Sequence, residues 1–407
     1  MDFDVVVVGA GPAGATAASY LADQNLHVLL LEKHLHPREK PCGGGLSTRV
    51  WKQFPYVEPL LDSICYGATI HSPSKYAVTI NRKQPLLGMI RRTTFDQALV
   101  QRAQEKGVEV RQETEVVNIF RKKKGLSVVA DNNDTISTNL ILGCDGMRSI
   151  VADKLGLNKK HRSFGLCVYK EHPIADSDIT NVYSSDHIGH IFIKTQEVSG
   201  FGWVFPKKDS VNIGLGEFVP NTEQRKPKNH LQKRYNDFLD MLQRQHLLPK
   251  KCTGENAKGA LLPLFPLSRT FDDNVMICGD AAGLINPISG EGIFYAMSSG
   301  QLAAITAHEA LKQHDTSARF LSRYQDRWMK AFGQDILKLQ KYNKTWDNPH
   351  ENIMRYISQD PTLAKLLIGV VGGRLSFSRY KPVVGLRYGY VKLKDMLLPH
   401  KEKNVEL

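Results

Sequence analysis

The chain has 407 residues, 42% hydrophobic and 23% charged, with a formal net charge of +13. That balance describes a folded globular protein long enough for two or three domains, and it excludes a disordered or collagen-like chain. No apolar run approaches the roughly 20 residues of a membrane-crossing helix, and the six cysteines form no CxxC pair, which argues against a zinc site or a redox dithiol. Asp2 and Asp4 stand where a signal peptide would carry basic residues, so a cytoplasmic protein is expected.

The first readable element is Val5-Val6-Val7-Val8, four β-branched residues that predict a buried parallel strand. Gly9-Ala10-Gly11-Pro12-Ala13-Gly14 then turns the chain into a helix. Gly9 permits the turn, Gly11 lets a pyrophosphate approach the backbone, and Gly14 lets the helix lie close on its strand. Leu26 to Leu31 predicts the second strand, with Glu32 at its tip placed to accept hydrogen bonds from an adenosine ribose. The acid follows Gly14 at about the spacing the dinucleotide fingerprint requires. That fingerprint alone does not separate NAD from FAD.

Lys33 to Lys40 reads as a polar loop leading into Pro41-Cys42-Gly43-Gly44-Gly45, a loop built for close backbone approach. A short helix is expected over Leu46 to Phe54, and strands over Gly67 to Leu87. A helix is predicted from Arg92, with Thr93 and Asp96 as a capping box. Short strands follow, and Thr138 to Leu142 runs into Gly143-Cys144-Asp145-Gly146. From Phe164 to Phe218 the pattern is nearly all β, and Arg225 to Gln245 predicts an amphipathic helix. The dinucleotide pattern returns at Asn274 to Asp280, a strand ending in Gly-Asp, followed by Pro287-Ile288-Ser289-Gly290-Glu291-Gly292-Ile293 and a helix. On that helix Ile293, Ala296, Met297, Gly300, Ala304 and Ala307 recur at helical spacing, a narrow face for close packing. The histidines follow no ligand spacing and are read as surface residues, and no metal site is expected.

Three separated motifs therefore agree: the glycine turn with Glu32, Cys-Asp-Gly at 144–146, and Gly-Asp at 279–280 with the PxxGEGI segment. A single NAD domain needs only the first. An extended FAD needs further chain for its ribityl arm and ring. Asp280 suits ribityl hydroxyls, and the amides of Gly292 and Ile293 open a helix whose positive end favours a negative flavin edge.

On these motifs the chain resembles the geranylgeranyl reductase family, within the flavoprotein group that includes p-hydroxybenzoate hydroxylase. The similarity covers about residues 1–310 and is most specific at Lys40-Pro41-Cys42-Gly43-Gly44-Gly45 and at Gly200-Phe201-Gly202-Trp203-Val204-Phe205-Pro206. The latter is similar to the family's YxWxFP motif, with Phe201 replacing the tyrosine and its hydroxyl. The resemblance implies FAD contacts at Ala13, Glu32, Cys42, Gly43, Gly45, Arg92, Val116, Asp280, Gly292 and Ile293, beside Gly9, Gly11 and Gly14. It also implies saturation of isolated C=C bonds in prenyl lipids, prenyl diphosphates or quinone tails, with NAD(P)H or reduced ferredoxin as electron donor. Candidate catalytic residues are Cys42, Trp203 and Phe205. The aromatic rings would face a tertiary cation. Cys42 otherwise only packs, and the aromatics are otherwise plain core.

The fold expected is α/β. A Rossmann-type FAD-binding domain is written in two parts, 1–160 and 261–315, with a β-rich substrate domain at 161–260 and a helical region at 316–407. From Pro361 to Leu407 there are nine Lys or Arg and three Asp or Glu, interleaved with apolar side chains. This suits a peripheral protein on an anionic membrane surface, or a solvated face on a packed tail. No nucleic-acid motif accompanies the charge. The rival functions are an FAD monooxygenase or halogenase of the same fold group, and a membrane-associated flavin redox sensor.

Overall fold

Consecutive valines make Phe3–Val8 a strand with almost every side chain buried. Such a strand must be covered on both faces, as in a parallel sheet between helices. It pairs in parallel with Thr135–Gly143 on one side and with Val28–Leu31 on the other. The computed structural model describes residues 1–73, 76–158, 164–219, 230–343 and 350–397, and groups the chain into two compact units.

The first unit comprises Met1–Lys40, Arg92–Ser163 and Pro263–Leu337. Its eight-stranded sheet runs Phe271–Asp272, Val275–Ile277, Thr135–Gly143, Phe3–Val8, Val28–Leu31 and Glu109–Arg111, and Leu126–Ala130 and Val116–Arg121 extend it antiparallel. Helix Pro12–Ala22 is almost wholly buried and packs on Ile293–Lys312. The contact is tight because a Cβ on Gly300 would sit 2.3 Å from the Ala13 carbonyl oxygen. All six small-face positions expected on the later helix are buried.

The second unit comprises Pro41–Arg91, Phe164–Leu262 and Lys338–Leu407. A seven-stranded sheet runs Lys258–Pro263, Phe164–Pro173, Ser210–Val219, Gly200–Pro206, Gly189–Ile193, Gly67–His71 and Ala77–Asn81. One face carries Val204, Val211, Ile213 and Leu215 against Tyr235, Phe238 and Leu242 of helix His230–Arg244. Helices His350–Gln359, Pro361–Val371 and Phe377–Leu397 bury Met354, Leu363 and Val391 against Val78 and Ile80. No helix among the described residues is long and apolar enough to cross a membrane.

Several local expectations change. Strand Gly45–Ser47 precedes a shorter helix, Arg49–Gln53, because it pairs with Leu87–Met89. The β-rich stretch contains a helix, Asp176–Tyr183, with only Ile179 and Tyr183 buried. Helix His230–Arg244 matches the later part of the stretch expected from Arg225, whose beginning lies outside the described residues. Asp96 is no capping partner of Thr93: it is fully buried and accepts two hydrogen bonds of 2.7 Å from Arg92. The histidines are not all at the surface. His172 is buried beside the Tyr235 hydroxyl at 3.2 Å, and His71 and His190 contact each other at 3.0 Å. Burial pushes His71 and His172 down to about 4 and His190 down to about 3, where the charge of His71 adds to the effect.

Candidate cofactor and active site

In the first unit the glycine turn is closed by contacts that admit no side chain. Gly9 has φ of +97°, and a Cβ there would lie 2.5 Å from the Cys144 carbonyl oxygen. The turn therefore lies against the Cys-Asp-Gly segment that the sequence singled out. A Cβ on Gly14 would lie 1.9 Å from the Gly9 oxygen, which shows how closely helix and strand approach. Gly11 is the contrast. A Cβ there meets only Arg38 Nη2, at 3.7 Å, so open space begins at that backbone.

Glu32 ends the second strand and is buried. Its carboxylate accepts hydrogen bonds from the Ala10 amide at 2.9 Å and the His34 amide at 3.1 Å. Each bond leaves acceptor capacity on both oxygens. Val116 opens its strand in a buried position, two residues after Thr114 donates its amide to the Glu32 carbonyl at 3.0 Å. Arg92 is held by Asp96, as above.

Arg38 is the residue that sequence reasoning missed. It lies in the stretch read only as a polar loop, yet it is nearly buried, 3.1 Å from Asp96 and 3.6 Å from Glu32. Among the described residues its Nε and Nη1 are buried without a hydrogen-bond partner. A guanidinium with unspent donors beside the opening at Gly11 fits a dinucleotide phosphate or ribose. No local signal marks it, since its partners stand six residues before it and far beyond it in sequence.

The second half of the dinucleotide pattern is brought to the same unit. Strand Val275–Ile277 lies parallel to Thr135–Gly143, and Cys278 donates its amide to the Gly143 carbonyl at 2.9 Å. The Cys144 thiol is pushed well up by its hydrogen bond to Cys278 and by burial, so these neighbours act as packing groups. Burial also pushes Asp145 up, although Ser149 Oγ donates to it at 2.6 Å. Asp280 and Gly292 are adjacent, because a Cβ on Gly292 would lie 3.4 Å from Asp280 Oδ1. Asn286 Oδ1 accepts from the amides of Ile288 and Ser289 and so shapes the turn before Gly292, which caps helix Ile293–Lys312.

In the second unit, loop Pro41–Gly45 meets strand Gly200–Pro206. Cβ atoms on Gly43 and Gly45 would lie 3.2 and 3.3 Å from the Phe205 ring, and one on Gly43 would lie 3.1 Å from Trp203 Nε1. Gly44 has φ of +77° and donates its amide to Cys42 Sγ at 3.3 Å. The loop therefore needs glycine for both conformation and space.

Asn212 ties this arrangement together. Its Oδ1 accepts from the Trp203 indole at 2.8 Å, and its Nδ2 donates to the Cys42 carbonyl at 3.2 Å and to Glu171 Oε2 at 2.9 Å. Glu171 also accepts from Lys207 Nζ and Ser210 Oγ, each at 2.7 Å. Burial alone would raise the Glu171 carboxyl. The Lys207 charge and the three donors outweigh it and hold the carboxyl below its ordinary value.

Trp203, with Phe201 and Phe205 partly buried beside it, packs with Cys167 and Tyr169 rather than with the Val204 core. The alternation of strand side chains separates the two faces. Opposite Trp203 in register is Gly214, where a Cβ would lie 2.0 Å from the indole. The indole thus lies flat on a glycine floor.

The FAD binding domain family matches residues 2–337. Digeranylgeranylglycerophospholipid reductase 2 of Methanothermobacter thermautotrophicus is 29% identical over 356 residues, covering 85% of this chain and 88% of the relative. The digeranylgeranylglycerophospholipid reductase of Methanocaldococcus jannaschii is 29% identical over 357 residues, covering 84% and 86%. Among solved structures, a geranylgeranyl bacteriochlorophyll reductase-like protein from Thermoplasma acidophilum superposes with a TM-score of 0.76 at 20% identity, over 97% of this chain and 99% of that one. The halogenase PltM, in complex with phloroglucinol and FAD, gives 0.70 at 16% identity over 96% and 86%, which shows a shared fold. With the glycine turn, Glu32 and the Gly-Asp strand all in one sheet, the chain belongs to the FAD binding domain family, and FAD is its cofactor.

Proposed function

We propose that the chain is an FAD-dependent reductase that saturates isolated C=C bonds of prenyl chains in a lipid or a prenyl diphosphate. The observation that carries this reading is the aromatic face of Trp203, on its Gly214 floor, and Phe205, against Gly43 and Gly45, joined through Asn212 to the Cys42 loop. Such a face suits a long hydrocarbon substrate better than a small polar ring. The names of the two archaeal relatives support the same substrate class.

In this reading Gly9, Gly11, Ala13, Gly14, Glu32, Arg38, Arg92 and Val116 hold the adenosine and pyrophosphate portions of FAD. Asp280, Gly292 and Ile293 hold the ribityl arm and the ring edge, with Cys42, Gly43 and Gly45 as further contacts. Bound FAD supplies the reducing equivalents. An isolated alkene has no carbonyl to accept charge, so the protein must stabilise positive charge on the more substituted carbon. The π faces of Trp203 and Phe205 do this, an effect that reaches about 2 kcal/mol when desolvated. Cys42 is proposed as the third participating side chain, its thiol fixed by the Gly44 amide.

The electron donor is NAD(P)H or reduced ferredoxin, and the protein works peripherally at a membrane surface. A halogenase would require a lysine at the flavin. Lys207 lies close to Gly44, but its ammonium is bound to Glu171. Mass spectrometry of lipids from a host that makes unsaturated prenyl lipids, with and without this gene, tests the reading. Saturated chains appear only with the gene if it is right, and an unchanged lipid profile counts against it.

A further inference from the structure

Helix Phe377–Leu397 is apolar on two opposite sides. Val391 is buried, and Val384 and Tyr388 pack beside it against Leu363 and Ala364. The Arg387 guanidinium binds the Asp360 carboxylate at 2.5–3.1 Å, which fixes this side. On the other side Val383, Leu386, Tyr390, Leu393 and Leu397 recur at i, i+3, i+7, i+10 and i+14, one face of a helix, with Met396 at its border. All six are exposed, Leu386 at 77% and Leu397 at 71%. A row of large exposed apolar side chains marks an interaction surface.

The charges on the helix decide what covers it. It carries Arg379, Lys381, Arg387, Lys392 and Lys394 against one acid, Asp395, which is already bound to Arg355 at 2.7 Å and Gln359 at 3.0 Å. Arg379 continues the apolar row one turn before Val383, Lys394 borders it on one side, and Lys392 lies beyond Met396 on the other. A second copy of the helix would set these cations against one another with no carboxylate to answer them. An anionic lipid surface answers them along the whole length, and long lysine stems reach outward while the apolar face sinks.

We propose that helix Phe377–Leu397 lies flat on an anionic lipid surface. Val383, Leu386, Tyr390, Leu393, Met396 and Leu397 enter the boundary between headgroups and acyl chains, and Arg379, Lys392 and Lys394 contact lipid phosphates. The inference rests on the prenyl-lipid reading only for its purpose, which is access to a substrate that itself resides in a bilayer.

The test is sedimentation of the FAD-loaded full chain with vesicles of phosphatidylcholine, alone or mixed with phosphatidylglycerol. The wild type is expected to sediment with the mixed vesicles, and less so as salt rises. Arg379→Gln/Lys392→Gln/Lys394→Gln should weaken binding about a hundredfold, at roughly fivefold per cation from about 1 kcal/mol each. Leu386→Glu/Leu393→Glu should abolish it while leaving flavin content and thermal midpoint unchanged, since both side chains are exposed. Sedimentation unchanged in either variant overturns the proposal. So does a wild type that ignores vesicles but sediments as a dimer in the ultracentrifuge, with Leu386→Glu/Leu393→Glu restoring the monomer. Turnover of a detergent-dispersed prenyl diphosphate, measured in parallel, separates the two readings. Turnover without vesicle binding defeats the docking alone, and vesicle binding without turnover defeats the reductase reading alone.

Discussion

Two glycines three residues apart make opposite predictions. At Gly11 the backbone is extended, with φ of −75° and ψ of −174°, and a Cβ meets only Arg38 Nη2 at 3.7 Å. Alanine fits there without strain, and by restricting the unfolded chain it should stabilise the FAD-free protein by about 0.4–1 kcal/mol. The same methyl group occupies space assigned to the pyrophosphate, so FAD affinity should fall at least tenfold, about 1.4 kcal/mol. Gly11→Val should remove the yellow colour altogether. At Gly14 the added Cβ would lie 1.9 Å from the Gly9 oxygen and 3.2 Å from Cys144 Cβ. Helix and strand must then separate, and Gly14→Ala should destabilise the FAD-free protein by about 1–3 kcal/mol or more. Urea unfolding of the FAD-free proteins, with FAD titration followed by flavin fluorescence, reads both effects. A Gly11→Ala protein that binds FAD as tightly as the wild type refutes the placement of the pyrophosphate.

Asn212→Leu should leave the Trp203 indole and the Cys42 carbonyl without their partner, at about 1–3 kcal/mol for each orphaned group. A urea midpoint equal to the wild type's would show that the network does not hold the loop. Cys42→Ser should retain FAD and lower turnover, and wild-type turnover would remove Cys42 from the catalytic residues. The lowered values of His71, His172 and His190 make the folded state bind fewer protons than the unfolded chain between about pH 6.5 and pH 4. Their contribution to stability is therefore full above pH 6.5 and is lost as pH falls, at roughly 3–4 kcal/mol per pH unit near pH 5 for the three together. Thermal midpoints that are flat from pH 7 to pH 5, or a His172→Gln variant with an unaltered slope, would contradict this.

The glycine turn, Glu32 and the Gly-Asp strand were legible because each is a local sequence of strand, turn and helix with residue types its geometry demands. The PCGGG loop and the GWVFP strand were legible as motifs, but their contact was not. It arises from Asn212, an ordinary polar residue until sheet register sets it opposite both Phe205 and Glu171. Arg38 escaped for the same reason, since its value lies in contacts to Glu32 and Asp96 from a loop without periodicity. Asp96 shows the converse error. Its spacing from Thr93 fits a capping box, yet two arginines outcompete a backbone amide for a buried carboxylate. Helix Asp176–Tyr183 is too short to show a period, with only two side chains to anchor it.

Strictly anaerobic turnover decides the reaction type. The purified protein, reduced with dithionite, is given a geranylgeranyl lipid or diphosphate, and the product is weighed by mass spectrometry. A reductase adds about two mass units per double bond and needs no oxygen, whereas a hydroxylase needs oxygen and adds about sixteen. Products are expected to rise in two-unit steps without oxygen, and Trp203→Ala to convert more slowly with FAD still bound. Turnover that requires oxygen, or a product heavier by sixteen, would contradict the reductase reading.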